Sequence, residues 1–411
     1  MKGFYKWIRN SYAEIISSIA FYPAIIAIGF LIMSWVMLEF DFSESGKHFK
    51  AIFSLIKLKD AGTARSIVST ILAGIISLTV FSFSMVMILL NQAASQMSNR
   101  MLENMIGNRF QQVILGFYIG TIVYALFLLS SIRDIDSGIY VPALSIYLLV
   151  LITVADIFLF IYFLHYVTQS VKFQTVIKRV HDKTLDTLDN ICTTQNPEVF
   201  TTPATTKQLI CMQKADYFQA FSKKELTKFA CKHNGVIQFL HPAGTYLLKG
   251  QPLLNFYSSG QLSDDDIKQI LFLVDFYDGQ PLEHNPYYGY HQLAEVAIKA
   301  LSPGINDPET AVLSIHALAD LFYFRIHHFI KSVYKDDGEK VRIVTKEWSF
   351  EELFGKCFLP IWDYGKKDRY IQEALQQMIE QLKHADTNGD HLPLFNVFLN
   401  KIKEQKAKDN F

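Results

Sequence analysis

The sequence predicts a membrane α-helical half with four transmembrane helices, followed by a C-terminal cytosolic α+β domain with a small β-barrel-like part and a helical part. Two observations carry this prediction: four long apolar runs lie within the first 170 residues, and hydropathy falls from about Lys172 onward. Only 19% of the residues are charged, against about 25% in soluble domains. We therefore expect a transmembrane domain over residues 1–170 and a cytosolic domain over residues 171–411.

The four spans follow from the length of the apolar runs. A helix needs roughly 17–25 apolar residues to cross a bilayer. The qualifying runs cover about residues 15–38, 67–90, 113–129 and 140–164. We do not expect a cleavable signal peptide, because the first run is too long, lacks a small-residue cleavage site and is followed by more spans.

Basic residues near the span ends predict the orientation, since Lys and Arg concentrate in cytoplasmic loops. The N-terminus and the segment after the fourth span are rich in them, whereas the connection between spans three and four sets one Arg against two Asp. The basic residues are Lys2, Lys6, Arg9, Lys172, Lys178, Arg179 and Lys183. We expect a multi-pass inner-membrane protein with cytoplasmic termini and outer segments at 39–65 and 130–139.

A polar residue recurs at every seventh position of the second span and beyond it. These residues, called the polar stripe below, are Thr63, Thr70, Ser77, Ser84, Asn91 and Ser98. A seven-residue step drifts by only about 20° around a helix, so one helix would carry them in a line. Two interpretations stay open. Small hydroxyl residues let membrane helices pack closely, or the stripe lines a water-filled pore or cavity.

Asp156 lies near the middle of the fourth span, in LITVADIFLFIYF. A charged side chain at that depth costs roughly 2.5–3.5 kcal/mol on insertion scales, so it marks a partner or a function. One interpretation is a protonated carboxyl that hydrogen-bonds inside the bundle, to Tyr124 or to a hydroxyl of the second span. The other is a residue that handles an ion or a proton.

The second half carries no established catalytic or metal signature. A P-loop, G-x-S-x-G, H-E-x-x-H and G-x-G-x-x-G are all missing, so we assign no cofactor, metal or catalytic residue. Balanced charge, with 39 Lys and Arg against 39 Asp and Glu, gives no field that would favour nucleic acid. The four scattered cysteines, all after residue 190, favour free thiols in the cytosol over structural zinc.

Strand-like stretches in the second half include QLICMQ, DYFQAF, GVIQFLH and TYLLKGQPLLNFYS. The spacing of Gly244 and Gly250 resembles the turns of small barrel-sandwich modules, which is the basis for the barrel-like part. Ser222 and Glu225 fit a helix capping box. The C-terminal segment from SFEELFGKCF is amphipathic and helical.

Two polar clusters in the second half are candidate sites. HNPYYGYHQL brings together His284, Tyr288 and His291 as a possible soluble site. ALSPGINDPETA then interrupts a helical pattern with two prolines and a glycine. Asp307 is a natural N-cap with Pro308 at the first helical position, so a helix–turn–helix corner explains most of the stretch. That corner does not account for Asn306.

ALSPGINDPETA resembles the signature ALSPGINDP-x-TA of a bacterial family of predicted membrane proteins, domain of unknown function twenty-two fifty-four. Its signature positions here are Ser302, Pro303, Gly304, Asn306, Asp307, Pro308 and Thr310. SIAFYPAI, the second span and QQVILGFYIGTIVYALFLL are similar to its other blocks, so the resemblance covers nearly the whole chain. Asn285 and Asn99 depart from the family pattern, where an acid and a proline are usual. The resemblance implies this architecture but no activity.

Three functions compete at this point. The leading one is a homo-oligomeric channel- or transporter-like protein, with a cytosolic regulatory domain, for an unknown ion or small solute. The second is a membrane-anchored enzyme whose site lies near the SPGINDP corner. The third is a membrane scaffold or envelope-stress protein. Four spans enclose little volume, so a channel would need several copies around an axis, and an enzyme is the less favoured reading.

Overall fold

The computed structural model describes residues 20–46, 48, 58, 60–96, 109–135, 138–195, 198, 200–203, 205–279, 282 and 285–409. His284 and Ser98, two residues of the predicted sites, lie outside these ranges. The chain divides into two compact units. The N-terminal unit comprises Met1–Ser95 and Met101–Lys172, and the C-terminal unit comprises Gln96–Arg100 and Phe173–Phe411.

The four predicted spans are confirmed as helices that are long and apolar enough to cross a membrane. They are α1 (Phe21–Phe42), α2 (Ala61–Gln96), α3 (Arg109–Ser131) and α4 (Ala143–Ser170). A short hairpin, β1 (Arg133–Ile135) with β2 (Gly138–Tyr140), connects α3 to α4. Each helix continues past the predicted C-terminal end of its span, because polar residues at a membrane boundary continue a helix without adding hydropathy; α4 begins three residues after its predicted start at 140.

Helix α3 is the centre of the N-terminal unit, and glycines bring α1 close to it. A Cβ on Gly116 would lie 2.7 Å from Ile26 and 3.1 Å from the backbone of Pro23. A Cβ on Gly120 would lie 2.7 Å from the ring of Phe30. The two glycines are four residues apart, the small-xxx-small arrangement that permits close helix approach in membranes.

An acid on α1 caps helix α4. Asp41 is fully buried, and its Oδ2 accepts hydrogen bonds from the Ser145 backbone N–H at 2.8 Å and from the Ser145 hydroxyl at 2.9 Å. A carboxylate at a helix N-terminus interacts favourably with the exposed N–H groups there. The Tyr124 hydroxyl donates to the Ser145 carbonyl at 3.1 Å. Tyr124 therefore hydrogen-bonds at this cap and not to Asp156.

The β part of the C-terminal unit consists of open sheets. Five strands pair in the order β11-β12-β6-β8-β4 and three in the order β7-β5-β9. The strands are β4 (Thr206–Cys211), β5 (Asp216–Phe221), β6 (Val236–Phe239), β7 (Thr245–Leu247), β8 (Pro252–Ser258), β9 (Val274–Phe276), β11 (Val333–Lys335) and β12 (Val341–Val344). The expected barrel-like part is wrong: in the described residues neither sheet closes, because pairing stops at β11 and β4 and at β7 and β9.

Helices α6 (Lys223–Lys232) and α7 (Asp264–Phe272) complete the core of this β part. Leu226 and Phe229 from α6 pack with Phe239 and Phe256 from the larger sheet. The predicted start of α6 is confirmed, with Ser222 as its N-cap, but the capping box is wrong because the Ser222 side chain makes no capping hydrogen bond.

The helical part contains α5 (Phe173–Ile191), α8 (Tyr287–Ala300), α9 (Pro308–His327), α10 (Phe350–Gly365), α11 (Arg369–Ala385) and α12 (Leu392–Asp409). A two-stranded ladder joins β3 (Cys192–Thr193) to β10 (Phe329–Ile330). Phe322 packs against Tyr290, Phe350 and Phe354 with ring centroids 5.0–5.4 Å apart. Aromatic side chains that bury their full area dominate such cores.

Replacing Gly116 or Gly120 with Ala tests the α1–α3 contact. Each change adds one methyl group at a distance that forces α1 away, and overpacking of this kind costs about 1–3 kcal/mol. We expect a lower melting temperature of the full chain in detergent micelles. Gly29→Ala on α1 is the matched control, because nothing lies within 4 Å of its added Cβ. Equal melting temperatures for all three variants would contradict this account of the packing.

Candidate functional site

The polar stripe lies on the exposed side of α2. Every described member, from Thr63 to Asn91, is exposed in the chain. The buried residues of the same helix form a different line: Ala61, Ala64, Val68, Ile75 and Ser82. Ser77 and Ser84 each follow a buried residue by two positions, which is about 200° around a helix. The stripe therefore faces away from the seam by which α2 packs on its own chain.

Exposed apolar side chains flank the stripe. Val80, Phe81 and Ile88 are 61%, 57% and 62% exposed. The Thr70 hydroxyl donates to the Ser66 carbonyl at 2.8 Å, which leaves its oxygen free to accept a further hydrogen bond. This face thus combines a line of small polar groups with apolar borders.

Asp156 is fully buried within the N-terminal unit. Its polar neighbours are Thr121 and Tyr118, both on α3. The Thr121 hydroxyl is committed to the Phe117 carbonyl at 3.0 Å. In the described part of the chain neither carboxyl oxygen of Asp156 has a hydrogen-bond partner, and the Tyr118 hydroxyl has none either. The hydroxyl beside Asp156 is thus that of Thr121 on α3, rather than that of Tyr124 or of a residue in the second span.

An apolar cavity of about 110 Å³ lies between α2, α3 and α4. Its polar lining residues are Ser82, Gln111, Gln112 and Tyr118. Most of the surface that faces the cavity nevertheless comes from apolar side chains such as Ile114, Met87 and Phe163. The Ser82 hydroxyl donates to the Leu78 carbonyl at 2.8 Å. Because most of the surface that faces it is apolar, this cavity is better suited to an apolar group than to a hydrated ion.

The SPGINDP corner is a helix–turn–helix connection between α8 and α9. Asp307 caps α9: its Oδ1 accepts from the Thr310 backbone N–H at 3.1 Å, and its Oδ2 accepts from the Thr310 hydroxyl at 2.6 Å. Pro308 is the first residue of α9. The Asp307 backbone N–H donates to the Ala300 carbonyl at 2.8 Å, which closes the turn onto the end of α8.

Asn306, which local sequence rules left unexplained, has a φ of +50°. Few residues other than glycine adopt this left-handed conformation, and Asn is among those that tolerate it. The other signature residues, Ser302, Pro303 and Gly304, form the turn; Pro303 and Gly304 are exposed, and the Ser302 hydroxyl donates to the Lys299 carbonyl at 2.7 Å. The corner is explained by its own backbone geometry.

The two described members of the His284, Tyr288 and His291 cluster differ in their exposure to solvent. Tyr288 is buried, and its hydroxyl donates to Gln219 Oε1 at 2.8 Å. His291 is exposed, and its Nδ1 lies 3.4 Å from Glu295 Oε1, one turn further along α8. Among the residues that the structure describes, no group of three His, Cys, Asp or Glu side chains is placed to hold a metal ion.

Sequence reasoning missed a cavity of about 230 Å³ in the C-terminal unit, lined by Gln219, Lys223, Asn285, Tyr287 and Glu347. These residues belong to four different parts of the fold, namely β5, α6, the start of α8 and the segment after β12, so no local spacing in the sequence predicts the site. The only available signal was the dense polar and aromatic composition of HNPYYGYHQL, which holds Asn285 and Tyr287.

Residues 16–381 match the model of a family described as "Predicted membrane protein (DUF2254)". The chain is also 24% identical over 330 residues to the uncharacterized protein MT1328 of Mycobacterium tuberculosis, and equally to the uncharacterized protein Mb1321c of Mycobacterium bovis. Both matches cover 77% of this chain and 63% of the relative, so the chain spans less than two thirds of those proteins. No solved structure matches the chain.

Substitutions at Asn306 and Asp307 test the account of the corner. Asn306→Gly should leave stability unchanged, whereas Asn306→Val should cost about 1–2 kcal/mol because a branched side chain disfavours positive φ. Asp307→Ala should cost about 0.5–2 kcal/mol by removing the cap. Faster amide hydrogen exchange in the first turn of α9 would report both losses in the full chain. If Asp307→Ala abolishes a cellular function at unchanged exchange, a binding role is correct instead.

Proposed function

This chain belongs to the DUF2254 family of predicted membrane proteins, and we propose that it works as a homo-oligomer in the inner membrane. In this proposal the polar stripe on α2 lines a path for an ion or small solute. The C-terminal unit lies in the cytosol and regulates that path. The matched relatives carry no named activity, so the proposal rests on the geometry of this chain.

The exposed polar stripe is the observation that carries the proposal. Five polar side chains, spread over about eight helical turns, lie opposite the packing seam of α2, in a helix whose apolar window is only 11% buried. Lipid tails cannot hydrogen-bond to a line of hydroxyl groups, whereas a second copy of the helix or water in a path can. Copies related by a rotation axis would bring the stripes together around that axis.

Leucine substitutions on the stripe distinguish a path from a packing seam. Ser77→Leu and Ser84→Leu place large apolar groups where a path would be narrowest, and hydrophobic constrictions close pores by dewetting. We expect intact oligomers in detergent, measured by light scattering, together with loss of most ion flux in proteoliposomes.

Ser69→Leu is the matched control. Ser69 is also exposed on α2, but it lies about 100° around the helix from the stripe, so flux should persist. Dissociation of the oligomer by the stripe variants would favour helix packing alone. A monomeric wild-type chain, or wild-type liposomes without flux for K⁺, Na⁺, Cl⁻ or H⁺, would rule out the path.

Maleimide labelling of intact cells tests the proposed orientation. Ser45 is exposed just after α1 and would lie outside, whereas the native Cys231 is exposed in the C-terminal unit and would lie inside. We expect an impermeant reagent to label Ser45→Cys in a Cys231→Ser background. The wild-type chain should react only after the cells are opened, and its reaction in intact cells would reverse the assignment.

A further inference from the structure

The cavity of about 230 Å³ in the C-terminal unit has the features of a binding site for an organic anion. Its walls come from β5, the start of α8, β11 and the segment that follows β12. None of the functions considered above assigns it a role. Polar groups line it from several sides, and some of them are already satisfied within the protein while others are not.

Asn285 is the unsatisfied group. It is 2% exposed, and its Oδ1 accepts from the Tyr287 backbone N–H at 3.1 Å, which fixes the side chain at the start of α8. Its Nδ2 has no acceptor in the described part of the chain. A buried donor without a partner destabilises the fold, and an acceptor atom on a ligand in the cavity would remove that penalty.

In the neighbouring buried amide, Gln219, both the nitrogen and the oxygen already have hydrogen-bond partners. Its Nε2 donates to the Tyr277 carbonyl at 3.1 Å and to the Gly279 carbonyl at 2.9 Å, and its Oε1 accepts from Tyr288. Gln219 therefore holds the cavity wall together. The contrast singles out Asn285 as the amide that is left for recognition.

Lysines give one side of the cavity a positive charge. Lys223 and Lys346 line it, and Lys223 is held with Nζ 4.3 Å from the centroid of the Tyr334 ring. Partial burial lowers the pKa of Lys223, and the nearby Lys331 ammonium lowers it further. Of these lysines only Lys223 and Lys346 line the cavity, and an anion bound there would stabilise their charged forms.

Glu347 supplies an acceptor on another wall. Its Oε2 accepts from the Tyr287 hydroxyl at 3.1 Å. Burial raises the pKa of this carboxyl, while hydrogen bonds from Thr345 and Tyr287 and the charge of Arg325 oppose the rise. Asn285 and Glu347 thus both accept hydrogen bonds from the same residue, Tyr287, one from its backbone N–H and one from its hydroxyl.

Aromatic rings complete the lining. Phe221, Tyr287 and Tyr334 all border the cavity, and the rings of Phe221 and Tyr334 meet edge to face at 6.3 Å. Flat aromatic surfaces bind planar heterocycles by stacking. Beside these rings, the Nδ2 of Asn285 is a donor and the carboxyl group of Glu347 is an acceptor. Such a pair matches the alternating acceptors and donors at the edge of a purine base.

We infer that this cavity binds a purine nucleoside monophosphate. The base lies along the aromatic wall with its edge between Asn285 and Glu347, and the phosphate lies at the two lining lysines, Lys223 and Lys346. This inference stands apart from the proposed path through the membrane, because a nucleotide can bind whether or not the N-terminal unit conducts. The two proposals therefore succeed or fail in different measurements.

Calorimetric titration of the full chain in detergent with adenosine and guanosine monophosphates tests the inference. We expect at least one of them to bind. The matching nucleoside, which lacks the phosphate, and inorganic phosphate, which lacks the base, should each bind at least about tenfold more weakly, since each loses one set of charge-assisted or base-edge hydrogen bonds. Failure of both nucleotides to bind, or phosphate binding as tightly as the nucleotide, would overturn it.

Variants locate the binding. Lys223→Ala should weaken binding by about tenfold, as should Asn285→Asp, which keeps the Oδ1 that accepts from Tyr287 but replaces the donor with a carboxylate. Lys228→Ala is the matched control, because Lys228 is exposed on the same helix and pairs with Glu225 at 2.8 Å. Lys346→Ala replaces Lys223→Ala if that variant melts early, because Lys346 also lines the cavity. Unchanged affinity in all folded variants would place the nucleotide elsewhere and refute the site.

Discussion

The arrangement of the membrane helices depends on the close approach of α1 to α3 over Gly116 and Gly120. Between lipid-facing helices no hydrophobic driving force operates, so packing contact and hydrogen bonds decide which faces meet. Glycine at both positions lets Pro23, Ile26 and Phe30 reach the α3 backbone. With one face of α3 taken by α1, its other residues are left to contact α2 and α4, as Tyr118 and Ile114 do.

Two buried acids of the N-terminal unit, Asp41 and Asp156, lie in different environments. Asp41 is satisfied by the start of α4, a contact in which a carboxylate meets helix N–H groups and both benefit. Asp156 is buried beside hydroxyl groups that are already committed or unpaired. A buried polar group without partners is unfavourable, so the two acids are not equivalent, although both stand in apolar helices.

In the C-terminal unit, the most conspicuous motif and the best-equipped cavity are separate features. The corner at residues 302–310 satisfies its own hydrogen bonds through Asp307, Ser302 and Thr310. None of its residues lines the cavity of about 230 Å³. A stretch rich in Pro, Gly, Asn and Asp is what a sharp reversal between two helices requires, and such composition by itself does not indicate ligand binding.

The sequence by itself determined the four spans, the regular spacing of the polar stripe and the cap at Asp307, because each follows from hydropathy, helical period or local hydrogen bonding. It did not determine that the sheets stay open, since turn spacing says nothing about whether edge strands meet. Nor could it pair Asp41 with Ser145, 104 residues away, or gather Lys223, Asn285 and Glu347 around one cavity. Tertiary structure also decided which way the polar stripe faces. The seven-residue period places its residues on one face of the helix, but only packing determines which face is buried.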